Sequence, residues 1–585
     1  MSQNIKTAEP IIYQVEIRKD AIDELQRQLQ EEEPQKHKKI ILEYPVVYIH
    51  NCEDAAKYDV YIGESYNIIK RTKQHLLASE DARNWQSILK RKESRLFVIG
   101  HEHFNKSLTM DVENRLMLYM SSLQNVRRVH NKRKNQQNMY YTCEEFENIF
   151  KGIWEALGNE NNELFPTEKI IHESAIYKAS PLHKLTEEQE EAKRKILEKI
   201  HKALHKEIKG QTIFISGEAG TGKTVLNSSL FYDLCALQKE NNLENIKCHL
   251  LVNHDQQLVV YKQIAEKLNL ENKEGNAVCK PTNFITTHSE DEPVDVVLID
   301  EAHLLWTQGK QAYRGKNQLE DIQKRARVVI VMFDRNQMLR TEQYWEAELI
   351  DRLEEEARLK NNYIRLVKQL RIRAAEATIH WINQFTKNQK IEKIPVDDNY
   401  QIRIMDTPEE LEAAIYEKAE KEETGLSRMI ATFDWEYKDK DKESRRMQKY
   451  YEVSIGNWKK PWNLQIEASP ESKRGNKQLA WAEQKHTIGE IGSTFTIQGF
   501  DLNYAGVILG PSVKYRKGEI VFDPSCSKNQ NATKARTLQN GTKQKFGEQL
   551  IKNEVNVLMT RGVDGLFIYA YDMELREALK NALCE

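Results

Sequence analysis

Residues Gly217-Glu218-Ala219-Gly220-Thr221-Gly222-Lys223-Thr224 follow a short apolar run, 212–216, and open a helix-forming stretch. Small residues at this spacing let several backbone N–H groups turn toward one anion, the helix N-terminus adds partial positive charge, and a lysine reaches the outer phosphates. Gly217, Gly220, Thr221, Gly222 and Lys223 are therefore the candidate phosphate cradle, a P-loop, and Thr224 offers a hydroxyl to Mg²⁺ beside the β and γ oxygens. A second run, Val294-Asp295-Val296-Val297-Leu298-Ile299-Asp300-Glu301-Ala302-His303, reads as a buried strand that delivers two carboxylates at its C-terminal end. Asp300 suits the same Mg²⁺ through water, and Glu301 suits orienting and deprotonating an attacking water. Together the two runs point to hydrolysis of a nucleoside triphosphate. His303 is a weaker candidate, because two residues past the carboxylates it can simply link parts of the fold.

These side chains need strands to carry them. From residue 185 onward, strand patterns alternate with helical patterns, the signature of parallel α/β sheets. Strands near 247–252, 294–299 and 328–333 belong with the P-loop. A second series begins near 400 and includes 427–432, 505–509 and 565–569. A charged helical zone, 342–390, separates them, so we expect two stacked α/β lobes, 185–365 and 366–585, with the nucleotide at their seam. Residues 40–155 read as a small α/β domain: β-rich segments at 46–50 and 59–62, then helices around 67–78 and 112–122. Residues 1–39, with the run Glu31-Glu32-Glu33, read as a charged appendage, and 156–184 as a linker.

At 585 residues the chain suits about three globular units of roughly 100–200 residues each. Its 39% hydrophobic and 30% charged residues fit a soluble protein with sizeable cores. No run of about 18 apolar residues occurs, so no membrane partner is expected, and residues 1–10 lack a basic-then-apolar signal, which predicts a cytoplasmic protein. Seven cysteines without a Cys-x-x-Cys pair fit reduced thiols. A net charge of −2 means that a nucleic-acid partner must bind through local basic grooves. Candidate runs are Arg127-Arg128-Val129-His130-Asn131-Lys132-Arg133-Lys134, residues 438–446 and residues 528–545; each can equally be a solvated loop. Trp435, Trp458, Trp462 and Trp481, interleaved with such residues, are candidates for base stacking, although core packing is the favoured reading for each.

Further segments carry a resemblance. Leu185-Thr186-Glu187-Glu188-Gln189, Phe333-Asp334-Arg335-Asn336-Gln337, Gln369-Leu370-Arg371, Thr496-Ile497-Gln498-Gly499-Phe500-Asp501 and Asn556-Val557-Leu558-Met559-Thr560-Arg561-Gly562 occur in the order of the superfamily 1 helicase core. Within that superfamily the chain is most similar to the Schlafen-type DNA/RNA helicases, on residues 489–511 and on Arg428-Met429-Ile430-Ala431-Thr432-Phe433-Asp434-Trp435. The resemblance implies two RecA-like doubly wound parallel-sheet lobes and ATP as the nucleotide. It implies that Gln189 reads adenine, that Gln337 senses the γ-phosphate, that Arg371 and Arg561 are arginine fingers, and that Gln498 and Gly499 couple nucleotide to the bound strand. A guanidinium supplied across a cleft is worth about 10³–10⁵ in rate, and its origin on the second lobe ties hydrolysis to lobe closure.

In the small domain, Val47-Tyr48-Ile49, Tyr61-Ile62-Gly63 and Arg71-Thr72-Lys73-Gln74-His75 resemble a GIY-YIG nuclease over about 44–150. The first half departs from that pattern, Val-Tyr-Ile standing for Gly-Ile-Tyr, while the second is intact. Arg71, Glu113 and Asn131 occupy fitting places. The resemblance implies one divalent metal on Glu113, Mg²⁺ or Mn²⁺, with Arg71 neutralising the scissile phosphate. A tyrosine hydroxyl, Tyr48 or Tyr61, assisted by His75, would activate water. His101-Glu102-His103 suggests a metal only superficially and is read as structural.

The combined expectation is an ATP-dependent DNA helicase or translocase coupled to a metal-dependent endonuclease, serving antiviral defence or DNA processing. Three readings stay open: a silent nuclease module, an ATP-gated clamp that does not travel, and RNA in place of DNA. A homo-oligomer or a partner protein also stays open.

Overall fold

The computed structural model describes the whole chain except residues 1–7, 18–20, 32–34, 78–90, 92, 132–139, 207, 241–245, 271–276, 310–312, 422–424, 439–449, 467–478, 498–499, 539 and 584–585. It divides into two compact units: residues 1–184 with 260–275, and residues 185–259 with 276–585.

In the second unit, short β-branched runs buried on both faces build a six-stranded parallel sheet. Its order is Tyr363–Leu366, Gln211–Gly217, Ala326–Phe333, Val294–Asp300, Cys248–Val252, Val278–Cys279. Register decides where chemistry can sit. Phe333 pairs with Ser216 and Val331 with Ile299, so the ends that lead into 217, 300 and 334 emerge along one edge. In an open α/β sheet, ligands bind outside these carboxyl ends. The helix Lys223–Glu240 starts directly after the P-loop. The helix Glu187–His205 is opened by a capping box, Thr186 accepting from Gln189 N while the Gln189 side chain returns to Thr186 N.

The second lobe of this unit is a four-stranded parallel sheet in the order Gln401–Ile404, Gly562–Ala570, Leu502–Leu509, Arg428–Ala431. One face packs on Trp381, Phe385, Ile551 and Leu558 of the helices Glu376–Asn388 and Gly547–Met559. The other face packs on Leu411, Ile415 and Trp462. Trp462 and Trp481 are fully buried and Trp458 is 7% exposed. Trp435 donates its indole N–H to Ser454 O at 3.0 Å. Trp458, Trp462 and Trp481 therefore fill the core, and Trp435 makes a loop contact while staying partly exposed. Of the basic run beside them, 439–446 lie outside the described residues.

The run 528–545, read from sequence as a candidate basic groove, does something else for much of its length. Arg536 is 4% exposed and donates to Thr307 Oγ1 at 2.7 Å and to Thr341 O at 3.2 Å, both on the first lobe. Phe546 stacks on Tyr344 with ring centroids 3.9 Å apart, and Ala532 and Leu550 join the first lobe's core. A charge buried this way must be hydrogen-bonded, and here it locks the lobes together.

In the other unit, the five-stranded sheet runs Ile11–Glu16, Ser94–Gly100, Val46–Asp54, Lys57–Ser65, Val126–Val129. All pairings are antiparallel except the last. Val46–Asp54 and Lys57–Ser65 form a hairpin whose two turn residues, Ala55 and Ala56, have φ of 52° and 59°, the primed turn that matches strand twist. Among the described residues of 1–39, 8–17 and 21–31 are not an appendage: Ile11–Glu16 is the edge strand, and Val15, Leu25 and Leu29 share a core with Val46 and Tyr48. Dense charge had masked a short period-2 pattern. The stretch 156–184, read as a linker, is tied to the domain: Tyr119 Oη donates to Glu168 at 2.9 Å and Trp154 Nε1 to Pro166 O at 2.7 Å.

One buried acid gives a test of pH dependence. Glu554 accepts from Phe433 N at 2.9 Å, and burial, with Asp434 as a like-charged neighbour, pushes its carboxyl up to about 8. A raised acid binds its proton more tightly in the folded state, so its stabilising contribution is complete below the unfolded value and is lost as pH rises through about 8. Glu554→Gln should match the parent's melting temperature at pH 5 and exceed it at pH 8.5. Equal melting curves for the two proteins at both pH values would count against a protonated Glu554.

Candidate active site

The P-loop backbone takes the form the motif requires. Gly220 and Gly222 have φ of +85° and +75°, where a side chain is strained. Space also excludes one: a Cβ on Gly220 would lie 2.8 Å from Arg371 Cβ, and one on Gly217 2.6 Å from Thr221 Oγ1. Lys223 is 6% exposed, and its Nζ donates to Gly217 O at 2.7 Å and Glu218 O at 2.8 Å. Its third neighbour is Asp334 Oδ2, at 3.6 Å. Thr224 follows in the first turn of the helix Lys223–Glu240.

Asp300, 1% exposed, ends its strand and accepts from Gln257 Nε2 at 2.8 Å and from Glu301 N at 3.1 Å. Glu301 sits in the left-handed region, φ 48° and ψ 48°, a conformation that costs a non-glycine residue about 1–3 kcal/mol and persists only when its surroundings impose it. Its Oε2 lies 3.5 Å from Nε2 of His303, which is fully buried and whose pKa burial lowers. Asp334, one of the residues that sequence reasoning missed, directly follows the strand Ala326–Phe333. It accepts from Gln337 Nε2 at 2.7 Å and Asn336 N at 3.0 Å. Burial raises its carboxyl, yet Lys223, His303 and these donors together hold it below the usual range. Gln257, which orients Asp300, carried no recognisable signal.

The second lobe brings its arginines to the same place. Arg561, 1% exposed, donates from Nη2 to Gln337 Oε1 at 3.1 Å, from Nε to Val557 O at 3.0 Å and from Nη1 to Phe500 O at 3.3 Å. Burial, then the like charge of Arg371, lowers its pKa to about 10, so it stays cationic. Arg371 is joined to the P-loop through Leu370 N, which donates to Gly220 O at 2.8 Å, and its Nε lies 2.6 Å from Asp501 Oδ1. Lys387 pairs with Glu218 of the P-loop at 2.6 Å. Gln189 approaches Thr221 O and Gly222 O at 3.3 and 3.4 Å, with its acceptor oxygen bonded to Thr186 N. Its amide thus supports the P-loop backbone. Gln498 and Gly499 lie outside the described residues.

A groove of about 1140 Å³ runs between the two lobes, lined by Asn253, Arg340, Phe433, Phe495, Lys528 and Asn529 among others. Arg340 lies over the Phe495 ring, 4.9 Å from its centroid. The lining mixes amides, cations, aromatic rings and the carboxylates of Asp255 and Glu436.

In the N-terminal unit, Tyr48 is fully buried with its hydroxyl against Gly63, where a Cβ would collide with the ring. Tyr48 Oη lies 3.0 Å from His75 Nε2 and accepts from Arg71 Nε at 3.3 Å. Tyr61 and His75 rings are 5.8 Å apart. Asn131 takes Ile62 N onto its Oδ1 at 2.7 Å and donates to Glu113 Oε1 at 3.2 Å. All six residues singled out in this unit are therefore linked through one stretch of strand, 61–63. His101 and His103 bond Ala8 O and Glu145, as a structural pair would.

Two parallel sheets with a P-loop, paired carboxylates and arginines from the second lobe define a P-loop nucleotide-binding protein of helicase type. Residues 210–572 match the Schlafen group 3, DNA/RNA helicase domain, and the chain belongs to that family. A protein of Saccharomyces cerevisiae, "Uncharacterized protein YPL245W", is 34% identical over 398 residues, 62% of this chain and 83% of its own. Solved structures give only distant likenesses. A Pif1 helicase from Candida albicans is 12% identical with a TM-score of 0.26, covering 68% of this chain and 99% of that one. A DEAD box protein from Methanococcus jannaschii is 14% identical with a TM-score of 0.24, covering 63% and 85%. No helix among the described residues is long and apolar enough to cross a membrane.

Proposed function

We propose that residues 185–585 hydrolyse ATP to drive movement along nucleic acid, with DNA as the first substrate to test. The observation that carries this reading is the meeting of Arg561 with Gln337 and of Arg371 with the P-loop segment inside one compact unit. The donor set fits a magnesium–triphosphate: a lysine on the P-loop carbonyls, the Thr224 hydroxyl, and the buried Asp300 carboxylate. Lys223 would hold the outer phosphates, with the 217–222 backbone cradling them. Thr224 and Asp300 would hold Mg²⁺, which supplies charge neutralisation on the phosphate oxygens. Glu301 would take the proton of the attacking water, and Gln337, Arg371 and Arg561 would meet the γ-phosphoryl charge. Gln189 would fix the P-loop and, through that contact, the adenine side of the site.

The decisive experiment measures ATP turnover with and without single-stranded DNA or RNA, alongside strand displacement, with Glu301→Gln as the hydrolysis-dead control. Stimulated turnover with no displacement on any substrate would favour a clamp, and a larger response to RNA would reassign the substrate.

A second activity is favoured by the cluster on 61–63. We infer a phosphodiesterase in which Tyr48 or Tyr61, assisted by His75, activates water. Arg71 would meet the phosphate and Glu113, oriented by Asn131, would bind Mg²⁺ or Mn²⁺. The Tyr48 hydroxyl between a guanidinium and an imidazole supports it. Nicking of plasmid DNA that needs Mg²⁺ or Mn²⁺ and falls at least about 10²-fold in Glu113→Ala is the expected result. Nicking that survives unchanged would reduce the unit to a binding module.

A further inference from the structure

The N-terminal cluster holds one more imidazole than its proposed chemistry uses. His50 lies in the strand Val46–Asp54, two residues past Tyr48, so both side chains leave the same face of the sheet. The register sets His50 opposite Tyr61 on one neighbouring strand and opposite Leu96 on the other, and residues directly opposite share a face. The helix Ile68–Leu77 brings His75 onto that face. His50 therefore neighbours every ring of the cluster: its centroid is 5.4 Å from Tyr48, 6.4 Å from Tyr61 and 5.7 Å from His75. Its plane stands at 75° to Tyr48 and 89° to His75, the edge-to-face arrangement that ring quadrupoles favour. His50 is 1% exposed, and burial, then the neighbouring His75, lowers its pKa to about 3, so it brings no charge to the cluster at neutral pH. Val46, Val47 and Ile49 of the same strand are buried aliphatics, and an imidazole is a costly choice for such a position.

We propose that His50 is a positioning residue of the phosphodiesterase site: its edge fixes the tilt of the His75 ring, and with it the approach of His75 Nε2 to the Tyr48 hydroxyl. The inference rests on the phosphodiesterase reading above and adds a residue that the reading does not contain. Passing a proton between Tyr48 and His75 needs their heavy atoms at hydrogen-bond distance, and they lie 3.0 Å apart. The hydroxyl is also held by Arg71 Nε at 3.3 Å, so the tilt of the imidazole decides whether the pair stays aligned. His50 and Tyr61 both stand steeply against that imidazole, at 89° and 74°. His50 acts through His75 and is not itself catalytic.

The test is nicking of supercoiled plasmid by the full chain in Mg²⁺ and in Mn²⁺. Both kcat and KM are measured for the parent, His50→Leu, His50→Phe, His75→Ala, the double variant with His50→Leu and His75→Ala, and Glu113→Ala. His50→Leu keeps an apolar side chain of similar size but removes the ring. Its kcat should fall by about 10²-fold, the cost of a misplacement near 1 Å, with KM little changed and a melting temperature close to the parent's. His50→Phe restores an edge-on ring and should recover most of the loss. On the His75→Ala background His50→Leu should cost nothing further, because residues that act as a unit are not additive. Parental kcat in His50→Leu, a His50→Phe as slow as His50→Leu, or the same fall on both backgrounds overturns the role of His50 alone. A parent protein with no metal-dependent nicking that Glu113→Ala removes overturns the phosphodiesterase reading and this role with it.

Discussion

Lys223→Ala should lower ATP turnover by about 10³-fold or more, because it removes the one lysine that the P-loop directs at the outer phosphates, a preorganised charge in a dry site. Its ammonium lies on Gly217 O and Glu218 O and 3.6 Å from Asp334, a geometry reproduced by no other cation of the loop. The substitution also leaves Asp334 buried without its nearest positive charge, and breaking such a pair is destabilising. Asp334 is held low by Lys223 among others, so its carboxyl should move upward in the variant. The resulting loss of stability should be present at neutral pH and fade as pH falls through the folded carboxyl value, where Asp334 is protonated in both proteins. Metal-dependent nicking, if the N-terminal unit performs it, should be retained by the isolated chemistry of Tyr48, Arg71 and Glu113. Normal ATP turnover by Lys223→Ala would remove the ground for the whole P-loop assignment.

Arg561→Ala should cost about 10³–10⁵ in kcat with a smaller change in KM, the behaviour of a group that meets charge developing only in the transition state. Arg561 also donates to Val557 O, Phe500 O and Gln337, so alanine leaves buried acceptors unsatisfied and lowers stability as well. Arg561→Lys separates the two effects. It keeps a charge and part of the packing but loses the planar fork that reaches three acceptors at once. Turnover should stay near the alanine level while the melting temperature recovers toward the parent's. A lysine variant with parental kcat would show that Arg561 acts as a simple structural cation.

The nuclease-like cluster was reached through a resemblance. Tyr48, Tyr61, Arg71 and His75 were singled out by the short segments that carry it. Glu113 and Asn131 came only through resemblance, and their link to the strand, Asn131 on Ile62, depends on a long-range fold. In the first lobe, Glu188 makes a comparable long-range contact. Its carboxylate accepts from Val367 N at 2.9 Å and Lys368 N at 3.2 Å, a contact that leaves no local trace in the chain.

What the sequence determined by itself is the chemistry at strand ends. A parallel strand is apolar because both faces are covered, and the polar residue at its carboxyl end must project into the cleft, so Lys223, Asp300 and Glu301 follow from local pattern. Tertiary structure alone decided the partnerships. Burial of Arg536 against the first lobe, the packing of Trp462 and Trp481, the edge strand Ile11–Glu16 and the pairing of Arg371 with Asp501 join residues far apart in the chain. Local propensity carries no information on such pairs, because each is set by the register of two sheets and the packing between them.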